Sequence, residues 1–183
     1  IPREEIIREI IEDRKNLESL VGYPVRGMSY PFGDYSDELA KMLPSLGIEY
    51  SRTVRSTHGF GLPSDFLAWN PTCHHNENIL EKCKTFKKTP PWEQLTLFYV
   101  WGHSFEFEMD NNWNLIKEFC KTVAFDDSVW YATNIEIMDY LYALKNLKFS
   151  ADRKIVQNFS SVDVWISVDR QPVKIKSGEL IYL

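Results

Sequence analysis

Residues 95–101, LTLFYVW, constrain the fold of this chain more than any other stretch. The run is nearly all apolar. A strand without a polar side has to be covered on both faces, the usual condition of parallel strands sandwiched by their crossover helices. Shorter apolar runs repeat the theme at 25–30, 48–54, 66–69 and 129–132. The first of them stops at Pro31 and Gly33.

Helical patterns fill the gaps. Ile6, Ile7, Ile10, Ile11, Leu17 and Leu20 follow the 3, 4, 7 spacing of one apolar face over 3–20, and Gly22 and Pro24 end that helix. Ser36 caps a helix through about residue 42, with Glu38 in its first turn. Further helices are expected over about 76–86, over about 113–123 and over 134–147 with Asn134 as cap, and Pro90-Pro91 marks a loop. Strand and helix thus alternate at least four times between 25 and 147. That order predicts an α/β fold built on a parallel sheet or barrel. Beyond 147 the texture changes. Residues 162–168 and 173–175 read as short strands around a turn at 169–172, with a last run at 180–183. These predict a small antiparallel β tail.

Composition narrows the class. With 183 residues, 44% of them hydrophobic, the chain is long enough for one packed domain and a small appendage. The net charge of -5 has no charged block behind it, which argues against nucleic acid as partner. No apolar run reaches the ~18 residues of a membrane span. Cys73, Cys83 and Cys120 are too widely spaced for a zinc finger or a C-x-x-C pair, so reduced thiols are expected. Reduced thiols lean weakly towards a cytoplasmic setting, and nothing else in the sequence speaks to location. The chain opens directly on a helix, without an initiator Met, as the later part of a longer protein would.

In α/β barrels the working residues stand at the C-terminal ends of strands. Three segments qualify. VRGMSYPFG (25–33) offers Arg26, whose guanidinium can hold a carboxylate through two parallel bonds. FYVWGHSFE (98–106) offers His103 directly after the long strand, where an imidazole can donate a proton near neutral pH. WNPTCHH (69–75) offers His74 and His75. Neighbours on a strand point to opposite faces, so the two are not expected to share an ion, although either can line a cleft. The FDD of 125–127 reads as an acidic turn rather than a metal-binding strand end. No nucleophile elbow, phosphate loop or H-E-x-x-H motif occurs.

Taken in order, the helix EEIIREIIEDRKNLESLVGYPV, then Arg26, Pro31, Phe32 and Gly33, then an apolar strand ending in His103, and finally VWYATNIEIMDYLYAL resemble the polysaccharide deacetylase family, carbohydrate esterase family 4 with its NodB-homology domain. The resemblance covers residues 1–148 and implies the C-terminal part of a distorted (β/α) barrel, with 149–183 as a small antiparallel β tail packed on it. It implies a hydrolase that removes acyl groups, mostly acetyl, from N-acylated carbohydrate. His103 would be the acid, and Arg26 would orient the catalytic base. Tyr30, Pro31, Trp69, Trp101 and His75 would line the carbohydrate site.

The family's divalent metal, usually zinc, is held by one Asp and two His that have no counterpart in this chain. The expected cofactor therefore belongs to an upstream half, and this chain alone is expected to be inactive. It would pack against that missing half or a second copy, because a half barrel exposes strand edges. The Arg26–Pro31 spacing is longer than the family's usual one. Two further readings stay open. One is a non-catalytic carbohydrate-binding remnant that uses the aromatic rings. The other is an interaction domain centred on the tail and Trp165.

Overall fold

The computed structural model describes residues 2–89 and 95–183, so the turn expected at Pro90-Pro91 lies outside the described residues. The chain is a mixed α/β protein with small parallel and antiparallel sheets, and no closed barrel forms among the described residues. It divides into two compact units, the first ending at Asp126 and the second running from Asp127 to Leu183.

The first unit opens with helix α1 (Arg3–Val21). Glu4 and Glu5 sit in its first turn, where carboxylates favour the positive end of the helix. Gly22 closes it in the left-handed conformation (φ 76°) and donates its N–H to Glu18. Strand β1 (Gly27–Ser29) pairs in parallel with β2 (Tyr50–Arg52), and β3 (Cys73–His74) pairs in parallel with β4 (Val100–Trp101). A parallel bridge, Arg52 to Trp69, joins the two pairs, reinforced by bonds from Thr53 N–H to the Trp69 carbonyl and from Trp69 N–H to the Ser51 carbonyl, both 3.0 Å. Chain order and spatial order therefore coincide, and the strand ends of all four strands emerge at one edge.

Helix α2 (Asp37–Met42) connects the first two strands, and the Ser36 hydroxyl caps it by accepting the Leu39 N–H at 3.1 Å. Helix α3 (Ile79–Lys88) follows β3. After β4 come α4 (Ser104–Met109) and α5 (Trp113–Val123). Tyr30, Leu43 and Ile48 form one apolar core with Ile10 of α1 packed against it. Trp69 forms the centre of another, its ring edge-on to Tyr50, Phe66 and Tyr99. Burying such a side chain contributes roughly 1.5–3 kcal/mol.

The run 95–101 is extended but narrower as a strand than its composition predicts. Only Val100 and Trp101 form a ladder, because Leu97 N–H bonds to the Phe60 carbonyl and the Tyr99 carbonyl is shared by the amides of Thr72 and Cys73.

In the second unit α6 (Asn134–Lys145) is capped by Thr133 rather than Asn134. The Thr133 hydroxyl accepts from Glu136 N–H, and the Glu136 carboxylate returns the bond to Thr133 N–H at 2.7 Å. Residues 129–132, expected as a strand, form no strand ladder among the described residues.

The tail is antiparallel as expected. Strands β5 (Lys148–Phe149), β6 (Ile155–Gln157) and β9 (Leu180–Tyr182) form one sheet, and β7 (Val164–Val168) and β8 (Gln171–Ile175) form a hairpin. Asp169 and Arg170 turn that hairpin with φ of 49° and 64°, the positive pair that matches strand twist. Ala143 and Leu147 share a core with Val156, Val164 and Ile175, so the last helix and the tail fold around the same apolar centre.

Candidate active site

Three strand ends supply the edge at which the chemistry-bearing side chains meet. β2 delivers Arg52, β3 delivers His74 and then His75, and β4 delivers Trp101 followed by Gly102 and His103. Helix α4 starts immediately afterwards and returns Glu106 towards all three histidines. Glu106 Oε2 lies 3.0 Å from His74 Nε2 and 2.5 Å from His75 Nε2, while Oε1 lies 3.2 Å from His103 Nδ1. The same carboxylate accepts the His103 backbone N–H at 3.2 Å, which satisfies one of the free donors at the helix start.

His74 and His75 come together despite being neighbours in sequence. β3 ends at His74, so strict strand alternation stops there, and the two rings lie 4.1 Å apart. His75 is 3% exposed, wedged between Gly102 and the Phe107 ring, whose centroid is 4.3 Å away. Its Nδ1 is buried without a hydrogen-bond partner. That fixes the proton on Nε2, where it meets the carboxylate, since an unpaired buried N–H is the costlier arrangement. His103 is the outermost of the three, with half of its side chain exposed.

The electrostatics follow from this packing. Burial lowers the His74 pKa and His75 beside it lowers it further, against the opposing pull of Glu106. For Glu106 burial pulls upward. The amide and ring of His103, the His75 ring and the charge of His74 outweigh that and hold the carboxyl down at about 2. The result is one ionised acid serving three imidazoles. Among the described residues, His74, His103 and Glu106 bring donor atoms within 4.8 Å of one another, a set that could hold a metal ion.

The sequence-derived candidates separate into those at this edge and those elsewhere. His103, His75 and Trp101 belong to it, Trp101 lying 4.6 Å from His74 and 6.0 Å from His103 between ring centroids. Arg26 precedes β1, at the opposite end of its strand pair, and grips Glu49 through Nε (2.7 Å) and Nη2 (2.6 Å). Tyr30 is 2% exposed and donates its hydroxyl to the Leu67 carbonyl, and burial pushes its pKa up to about 12. Trp69, at 1% exposed, is core. Pro31 is on the surface, in the turn after β1.

Two contributors were not among the sequence candidates. Arg52 closes β2 and lays its guanidinium 4.9 Å from the Trp101 ring centroid. Its position as the last residue of a strand was the available signal. Glu106 stands three residues after His103, the spacing of a capping box, and that pattern in HSFE could have marked it. The acidic turn behaves as expected: Asp126 pairs with Lys87 at 2.9 Å and Phe125 is fully exposed with φ 57°. Compared with protein-family models, curated proteins and solved structures, the chain finds no match.

Proposed function

We propose that this chain is the acid-bearing part of a hydrolase of non-peptide carbon–nitrogen bonds, acting on N-acylated carbohydrate from a distorted (β/α) barrel of the polysaccharide deacetylase type. The observation that carries the reading is His103. It follows a parallel strand at its C-terminal end, is half exposed, and has Nδ1 paired to an ionised carboxylate. With Nδ1–H donated to Glu106, the outward Nε2 is the nitrogen left to take up and give a proton. The hydrogen bond to Glu106, itself anchored at the start of α4, keeps the ring aimed. The step assigned to His103 is proton delivery to the departing sugar amine, which would otherwise leave as an unfavourable anion.

Other residues of the edge support the same reading. Arg52 supplies positive charge beside Trp101, suited to a developing oxyanion or to an acidic group on the substrate. His75 holds Glu106 from the buried side and acts on the substrate only through it. The divalent cation implied by the family resemblance would be held by one Asp and two His of an upstream half, in this reading outside the present chain.

The test is acetate release from N-acetylglucosamine oligomers by the full-length natural protein as purified, without added metal. Turnover that falls by about 10²- to 10⁴-fold in His103→Ala, at unchanged fold, supports the assignment. Turnover equal to the parent would sink it.

A further inference from the structure

We propose that His74, His103 and Glu106 form a binding site for one divalent cation of the zinc class, separate from any metal supplied by other parts of a deacetylase barrel. In tetrahedral zinc sites the metal lies about 2.0–2.2 Å from nitrogen and carboxylate oxygen, which sets neighbouring donors about 3.3 Å apart. Here His74 Nε2 lies 3.0 Å from one Glu106 oxygen and His103 Nδ1 lies 3.2 Å from the other. Each histidine thus stands near ligand separation from one oxygen of the carboxylate, and one donor atom from each of the three residues lies within 4.8 Å of the others.

The chemistry of the set selects the ion. Two imidazoles and one carboxylate suit zinc, cobalt or nickel, whereas magnesium and calcium prefer all-oxygen surroundings. Three protein ligands leave a position open, and His103, exposed at the rim, leaves that position facing solvent.

A second shell is built as well. His75 is 3% exposed and directs Nε2 at Glu106, so the ligand carboxylate is held from behind by a buried imidazole. The backbone N–H of His103 binds the same carboxylate and ties two ligands to one helix start. Rigid donors of this kind lose little freedom on taking up an ion. His74 and His103 come from adjacent parallel strand ends and Glu106 from the first turn of α4, so the site needs no other part of the molecule.

Occupancy changes what His103 can do. The cation takes the Nδ1 lone pair, and the single proton of the neutral ring sits on Nε2 instead of bridging Nδ1 to Glu106, so Nε2–H becomes a permanent donor and no proton is lost. A ring in that state does not cycle protons near neutrality. The bound cation and the acid role of His103 therefore exclude each other.

Titration calorimetry of the chain with zinc chloride, paired with cobalt absorption spectra, tests the site without any substrate. About one equivalent of zinc should bind, and cobalt should give the intense visible bands of a tetrahedral nitrogen and oxygen site. His74→Ala and His103→Ala should each lose the saturable phase, with circular dichroism unchanged, while His58→Ala keeps it. His75→Ala should weaken binding by roughly 10- to 100-fold. Absence of saturable binding in the parent overturns the proposal, as does binding that survives both single ligand substitutions. The claim stands apart from the hydrolase reading: zinc binding without acetate release removes only the latter.

Discussion

Gly102 and His75 are fitted to one another: a Cβ on the glycine would fall inside the imidazole ring, and the glycine holds φ 153° where L residues are rarely found. The contact presses His75 against Phe107 and so aims Nε2 at Glu106. Gly102→Ala should cost about 1–3 kcal/mol in stability from backbone strain alone. It should also disturb the imidazole cluster, which histidine ring resonances in an NMR spectrum would report. A variant with parental stability and unchanged resonances would contradict the fit.

Acid should act through Glu106. Its carboxyl is held at about 2 against an unfolded value of about 4.3. A depressed acid stabilises the fold fully above the unfolded value and loses that contribution as pH falls through the folded one. Glu106→Gln should therefore be least stable relative to the parent above about pH 5, and the gap should close towards about pH 2. Urea melts across that range read the difference directly.

Much of this was legible in the sequence, and the exceptions are instructive. Helix α5 carries its apolar spacing openly, and its ends, Trp113 and Val123, are where the pattern put them. Helix α4 was missed because SFEFEM alternates apolar and acidic residues, a strand period, while its fold is set by Glu106 returning to the His103 N–H. The cap of α6 slipped by one residue because Thr133 and Asn134 are both capping types, and only the Glu three residues after Thr133 decides between them. The meeting of Glu106 with His75 bridges 31 residues, and no local period encodes it.

Thiol chemistry should separate the cysteines. Burial pushes Cys73 up to about 11 and raises Cys83 as well, whereas Cys120 is exposed on α5. A raised pKa leaves almost no thiolate at neutral pH, and the thiolate is the reacting form. Iodoacetamide with mass spectrometry should label Cys120 in the native state and reach the other two only in denaturant.

Zinc in excess should inhibit hydrolysis by the full-length protein if it occupies the cluster around Glu106. His74→Ala should relieve the inhibition at a given zinc concentration. Activity measured against zinc in both proteins gives the comparison. Equal sensitivity of the two would assign the inhibition elsewhere.

In the second unit Asn158 is fully buried and works as a hub. Its Nδ2 donates to the carbonyls of Val162 (2.8 Å) and Lys176 (3.1 Å), and its Oδ1 accepts from the Ser160 amide at 2.9 Å. Asn158→Ala strands these groups away from water and should cost about 1–3 kcal/mol or more. Chemical denaturation of the variant measures it.

Arg26 and Arg52 stand at the two ends of one short strand pair, the former locked to Glu49 and the latter lying over Trp101. The fold thus has a polarity that a protein engineer can use. A library randomised around Arg52, with the Arg26–Glu49 clamp left intact, samples new specificities while leaving expression yield nearly constant. Randomising the clamp does the reverse, thinning the yield before any new activity can be seen.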